Sequence, residues 1–288
     1  MQSTQVGVDP QPTTLHVQTQ VSQPTSWLTA TPLQTPSQVE PPVATDTAVL
    51  TPTAVITPAA EPDGVTLYYH GNAMFEILSP SGTRVLIDVY DPALLSKPAG
   101  EQDILLTSHH HHDHYQADFT GSFPGQQIDR QAGEVVTEHV RITSIPSSHN
   151  AGERLRLTGG SNYIFLIEIG GLRIVHFGDI GQDRLTPDQL EVLKPVDVAI
   201  SQLRNPYSEM GMQDLKGFVL MDQVQPGLFI PTHASLETIQ YALNRWTGYL
   251  SDGDSVFIDP AILSQEPGIL LFGLNAHKYG DDLPLEIW

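Results

Sequence analysis

An apolar run, Leu105-Leu106-Thr107-Ser108, leads straight into His109-His110-His111-His112-Asp113-His114. An affinity tag sits at a terminus and has no apolar strand leading into it, so this cluster belongs to the fold. Successive strand side chains point to opposite faces, so alternate residues at a strand end share one direction and His109 and His111 can hold one ion. Asp113 and His114, just past a turn, can reach a second ion nearby. Imidazole nitrogen and carboxylate oxygen suit Zn²⁺ and its divalent neighbours. His110 and His112 point the other way and are read as surface or supporting residues. The chain has no Cys, which removes disulfides, thiolate ligands and cysteine nucleophiles together.

The chain changes texture near residue 64. Residues 1–63 hold 10 of the 23 prolines and 13 threonines, and no Lys or Arg, the first basic residue being Arg84. Proline fixes φ, removes an amide donor and pushes the preceding residue to extended geometry. No apolar period near two or 3.6 offers a face to bury, so 1–63 reads as a disordered Thr/Pro-rich linker or stalk and 64–288 as the folded domain. Such a stalk fits an extracytoplasmic or surface-tethered protein. Neither a basic n-region with an apolar run nor the ~18 apolar residues of a membrane span is visible.

All 13 bases and 28 of the 33 acids lie beyond residue 63, leaving −15 of the −20 net charge on that part. An acidic surface disfavours nucleic-acid phosphates and anionic membranes as partners and leaves a small-molecule substrate as the expectation. Short β-rich runs recur, among them Val65–His70, Met74–Leu78, Arg84–Val89, Asp103–Thr107, Tyr163–Ile169, Leu172–Phe177, Asp197–Ser201 and Leu228–Ile230. Thr186-Pro187-Asp188-Gln189 opens one helix through Leu193, and Ser235 caps another bearing Leu236, Ile239, Leu243 and Trp246. Early strands in hairpin order followed by mixed strands and helices predict an α/β domain of sheets sandwiched by helices.

The His-x-His-x-Asp-His segment resembles the metal-binding motif of the metallo-β-lactamase fold superfamily. Ile145-Pro146-Ser147-Ser148-His149, His176-Phe177-Gly178-Asp179 and Ile230-Pro231-Thr232-His233 resemble that family's later ligand segments, each after an apolar strand and in the family's order. The resemblance implies an αββα four-layer sandwich. Gly71-Asn72-Ala73, the Ile87-Asp88 strand and the run at 170–179 are similar to the branch of ascorbate-phosphate lactonase-like proteins and N-acyl-phosphatidylethanolamine phospholipase D. Many members of that branch carry His where this chain has Asn72.

Carried over residue by residue, the resemblance puts His109, His111 and His149 on a first metal and Asp113, His114 and His233 on a second. Asp179 bridges, and Asp113 and Asp179 are the catalytic candidates. It implies a hydrolase with two divalent metals, Zn or else Mn or Fe, whose bridging hydroxide attacks an ester, lactone or phosphodiester centre. The alternatives are a non-catalytic metal-binding surface module and a di-iron oxygen or nitric oxide reductase of the same fold. The reductases resemble His-x-Glu-x-Asp-His, and His111 stands at their Glu position. Asp88 and His176 are read as supporting residues and His70 as undecided. Arg130, Arg141, Arg154 and Arg156 imply an anionic substrate only if they converge on the metals.

Overall fold

The computed structural model describes residues 63–150, 160–251, 253–263 and 267–273. The stalk reading of 1–63 therefore falls almost wholly outside the described residues, as do Arg154, Arg156 and His277. Fourteen strands and four α-helices are described. In chain order they are β1 (Val65–Gly71), β2 (Met74–Leu78), β3 (Arg84–Ile87), β4 (Ile104–Thr107), α1 (Ala117–Gly121), β5 (Gln126–Asp129), β6 (Gly133–Val136), β7 (Val140–Ser147) and β8 (Asn162–Ile169). Then follow β9 (Leu172–His176), α2 (Pro187–Leu193), β10 (Val198–Gln202), α3 (Lys216–Val224), β11 (Leu228–Thr232), α4 (Leu236–Leu243), β12 (Thr247–Ser251), β13 (Ser255–Ile258) and β14 (Gly268–Phe272).

Two sheets result, ordered β13-β1-β2-β3-β4-β5 and β12-β14-β11-β10-β9-β8-β7-β6. The main core lies between them: Phe75, Ile77, Val85, Ile87 and Leu106 from one sheet pack with Phe165, Ile167, Ile174 and Ile200 from the other. Each such side chain taken fully out of water contributes about 1.5–3 kcal/mol. Residues of opposite parity on the first sheet, Met74, Leu86 and Leu105, form a second cluster with Phe119 of α1 and Phe123. Phe218 and Met221 of α3 and Ile239 and Ala242 of α4 join the core from the second sheet's side. The expected sandwich of two sheets with helices outside is the observed architecture. Both faces of β2, β3 and β4 are covered, and the two charges they carry, Glu76 and Arg84, are buried as a pair.

Thr186 and Gln189 form the anticipated capping box of α2, with Pro187 in its first turn, and Ser235 caps α4. Differences from the sequence reading are local. The helix after Ser235 ends at Leu243, and Thr247 begins an edge strand. Residues 115–137, which carry no clear periodic signal, contain α1, β5 and β6. Helix α3 escaped detection because Leu215, at its N-cap, has φ +56 and offers no side-chain cap. Pro146 masks β7, an eight-residue strand paired along its length with β8.

β7 runs antiparallel to β8, and β8 antiparallel to β9, while β9, β10 and β11 are mutually parallel. The C-terminal ends of β7, β9, β10 and β11 therefore emerge at one edge of the second sheet. The C-terminal end of β4 meets them from the first: a Cβ placed on Gly178, after β9, would lie 2.8 Å from Ser108 Cβ. No helix among the described residues is long and apolar enough to cross a membrane.

Candidate metal centre

Every one of the seven expected ligands sits just beyond one of those strand ends. His109, His111, Asp113 and His114 follow β4, His149 follows β7, Asp179 follows β9 and His233 follows β11. Ligand atoms of His109, His111, His149 and Asp179 lie within 4.8 Å of one another, and so do those of Asp113, His114 and His233. Asp179 joins the two groups. Its Oδ2 is 3.8 Å from His109 Nε2 and 3.7 Å from His149 Nε2, and its Oδ1 is 3.3 Å from His114 Nε2 and 3.4 Å from His233 Nε2. Asp113 Oδ2 stands 3.9 Å from His114 Nε2 and 4.0 Å from His233 Nε2.

These atoms satisfy one another only in part: His109 Nε2 lies 3.1 Å from His111 Nδ1. His149 Nε2 and Asp179 Oδ1 are buried with no hydrogen-bond partner among the described residues. His114 Nε2 and His233 Nε2 face each other at 3.4 Å. A buried polar atom left unpaired costs about 1–3 kcal/mol, and buried groups of this kind are paired or coordinate metal. The donor set of imidazoles and carboxylates fits divalent cations of the zinc type.

Electrostatics sort the imidazoles into two kinds. Burial pushes His109 down to about 2 and also lowers His111 and His233, so all three are neutral with a lone pair free. For His114 burial acts the same way, but the carboxylates of Asp179 and Asp88 outweigh it and hold it well above its ordinary value. Burial would raise Asp179, yet the facing His114 and His233 hold it well below the usual carboxylate range.

A supporting shell orients the ligands. Asp88 accepts from the backbone N–H and the hydroxyl of Ser108, each at 2.7 Å, and from His114 Nδ1 at 2.8 Å. Ser108 Oγ in turn lies 3.0 Å from His109 Nδ1. One carboxylate thus steers an imidazole of each group and leaves both Nε2 atoms turned to the centre. Asp88 and His233 hold φ values of +50 and +32, backbone strain of the kind that persists where surrounding structure demands it. Asn162 takes the Asp179 N–H on its Oδ1 at 3.0 Å and donates to Ser147 Oγ and Phe177 O, tying the ends of β7, β8 and β9 together. Gly178, at φ +54, admits this arrangement, since a Cβ there would come within 2.4 Å of Asn162 Oδ1.

Asn205, following β10, donates through Nδ2 to Asp179 Oδ2 at 2.6 Å. Nothing in the local sequence after this strand aims the Asn205 side chain at Asp179. His110 also departs from expectation: it stacks on Tyr115 and bonds Asp129 at 2.6 Å, yet still lines the cleft. His112 is open to solvent. His70 bonds Glu76, and His176 bonds the carbonyl of Ala73, so neither joins the centre. Asn72 occupies the β1–β2 turn at φ +50 and lines neither cleft, and Arg141 pairs with Glu134.

Two clefts flank the centre. One of about 550 Å³ lies on the side of His109, His111 and His149, and one of about 370 Å³ lies on the side of Asp113 and His233. Both volumes are of small-molecule size, and Tyr207 borders both.

Residues 66–233, more than half of the chain, match the Beta-lactamase superfamily domain, and all seven converging residues fall in that range. A UPF0173 metal-dependent hydrolase of Rubrobacter xylanophilus is 28% identical over 126 residues, 41% of this chain and 48% of that protein. The chain thus spans about half the length of that relative. A UPF0173 metal-dependent hydrolase of Thermococcus onnurineus is 26% identical over 194 residues, 59% of this chain and 84% of that protein. The crystal structure of a candidate Zn-dependent hydrolase of the metallo-beta-lactamase superfamily from Thermotoga maritima shares the fold. It superposes with a TM-score of 0.52 at 20% identity, covering 72% of this chain and 98% of that one. With its two-sheet architecture and its histidines gathered at the strand ends, this chain belongs to the beta-lactamase superfamily.

Proposed function

We propose that the protein is a metal-dependent hydrolase acting on an ester, lactone or phosphodiester centre, with His109, His111 and His149 holding one metal, Asp113, His114 and His233 a second, and Asp179 shared. The observation that carries this reading is the division of Asp179, one oxygen toward each histidine group. Two divalent cations bound there would supply a nucleophilic hydroxide at neutral pH and Lewis acidity at the scissile centre. The chain's own part is positional. Asp88 holds His114 directly and His109 through Ser108, so each presents Nε2. Asn205 pins one oxygen of Asp179 and keeps its carboxylate from turning. The adjoining clefts leave room for a substrate beside the ligands, which a closed structural site lacks.

Zinc is the proposed metal on the strength of five imidazoles with two carboxylates, and Mn or Fe would be accepted by the same atoms. The segments Gly71-Asn72-Ala73 and 170–179 support membership of the ascorbate-phosphate lactonase-like branch, and the Thr/Pro-rich 1–63 supports a tethered, extracytoplasmic placement. The test is metal analysis with a hydrolysis screen of lactones, phosphodiesters, carboxyl esters and β-lactams. About two divalent ions per chain are expected, with turnover lost on chelation and in His109→Ala. Turnover that survives complete metal removal, or a fully metallated protein inert to the whole panel, would overturn the reading.

A further inference from the structure

The chain is strongly acidic, yet the two clefts beside the histidine centre are lined by few carboxylates. The larger cleft has no carboxylate among its described lining residues, and in the smaller one the only carboxylates are the proposed ligands Asp113 and Asp179. Of the few cations in this protein, Arg130 lines the first cleft and Arg204 the second, on opposite flanks of the histidine centre.

Arg130 differs from four of the other described arginines. Arg84, Arg141, Arg173 and Arg245 each pair with a carboxylate. The Arg130 side chain makes no ion pair or hydrogen bond among the described residues, although its backbone N–H is anchored to Thr107 O at 2.9 Å. That anchor ties Arg130 to the last residue of β4, two positions before His109. Its φ of +46 is a left-handed conformation that a glycine would adopt without strain. Arg130 thus follows β5 directly and lines the same cleft as His109, His111 and His149.

We propose that the substrate carries a fixed anionic group, a carboxylate or phosphoryl oxygen pair, which Arg130 holds in the cleft beside His109, His111 and His149 while the scissile bond lies over the centre. This rests on the hydrolase reading above. A guanidinium offers a planar fork of donors that matches the two oxygens of such a group. The absence of competing carboxylates on the described cleft wall leaves that fork available to a ligand. Tyr207, four-fifths exposed where the two clefts meet, supplies an aromatic lip against which the body of the substrate can lie.

The test uses the full-length, zinc-loaded protein and two readouts. In the first, succinate and methylphosphonate are titrated calorimetrically into wild type, Arg130→Gln and Arg130→Lys at matched metal content. Affinity for at least one anion is expected to fall about tenfold in R130Q and to recover partly in R130K. Added salt should narrow the gap. The second readout is the ratio of kcat/KM for para-nitrophenyl succinate monoester over para-nitrophenyl acetate, expected to fall by a similar factor in R130Q. A larger loss for succinate identifies a carboxylate substrate, and a larger loss for methylphosphonate a phosphorylated one. Equal anion affinity in wild type and R130Q overturns the proposal, even where hydrolysis proceeds. Anion affinity that falls in R130Q while no ester, lactone or phosphodiester is cleaved retains the anion site and removes the hydrolase reading.

Discussion

Asp88 Oδ2 accepts the Nδ1 proton of His114 at 2.8 Å, and both side chains are fully buried. A carboxylate behind an imidazole fixes its tautomer and raises its basicity as a ligand. Asp88→Asn keeps the shape but replaces a charged acceptor by a neutral amide. The expected result is a roughly 10–100-fold loss of affinity for the metal held by Asp113, His114 and His233. The other group, touched only through Ser108, should lose less. Stepwise metal titration followed by calorimetry separates the two, and equal losses at both would contradict this division.

Asn205→Ala removes the amide that pins Asp179 Oδ2. A hydrogen bond to a charged group contributes about 1.5–3 kcal/mol, so hydrolytic turnover should drop by one to two orders of magnitude. Asn205→Asp should be worse, because it sets a second carboxylate 2.6 Å from the first. Measured metal content then tells a loss of ligand orientation from a loss of metal.

Gly178→Ala must push the new Cβ against Asn162 Oδ1 and Ser108, and it does so at φ +54. Both contacts belong to groups that position Asp179 and His109. Overpacking of this kind costs about 1–3 kcal/mol, and the lowered melting temperature should come with weakened metal binding. A variant as stable and as well metallated as wild type would show that the strand ends are not tightly apposed.

Acidification should destabilise the metal-free protein. His109 titrates near 2 in the fold against an ordinary 6.5, and His111, His176 and His233 are lowered too. Below 6.5 the unfolded chain takes up protons that the fold refuses, so stability falls as pH drops from neutral. Glu76 reinforces the loss further down: burial opposes its ionisation, but His70 and Ser96 lower it overall, and its contribution is lost as pH falls below 4.5. His114 acts in the opposite sense, contributing below 6.5 and fading as pH rises through its elevated value. Asp88 and Asp179, both held below the usual carboxylate range, add to the loss at acid pH, and denaturant midpoints across this range provide the measurement.

Metal uptake should release a proton. His114 is protonated in the metal-free fold because Asp88 and Asp179 overcome burial, and a ligand imidazole must present a bare nitrogen. Calorimetric titrations in two buffers of different ionisation enthalpy count the protons released. Release should fall by about one proton in His114→Ala, any remainder coming from water ionised at the metals, and equal release in the two proteins would mean that His114 is already neutral.

Much of this protein was legible from its residues. Leu105-Leu106-Thr107-Ser108 before the histidine run marks a strand ending in ligands, because period-two geometry aligns His109 with His111. The capping signals at Thr186 and Ser235 act over three residues and were readable for that reason. By itself, the sequence determined most of the strands, the acidic balance, the absence of thiols and the identity of atoms able to bind metal. Only the tertiary structure decided which of those atoms meet. Asp179 lies 70 residues beyond His109, and its two oxygens face different histidines because β4 and β9 come from different sheets. Asn205 carries no local signature, and for Asp88 and Arg130 the sequence offered the residue but not its aim, since each depends on a direction set by a neighbouring strand rather than by nearby sequence. Strand propensity and capping are local interactions, whereas the aim of a side chain follows from packing between residues far apart in the chain.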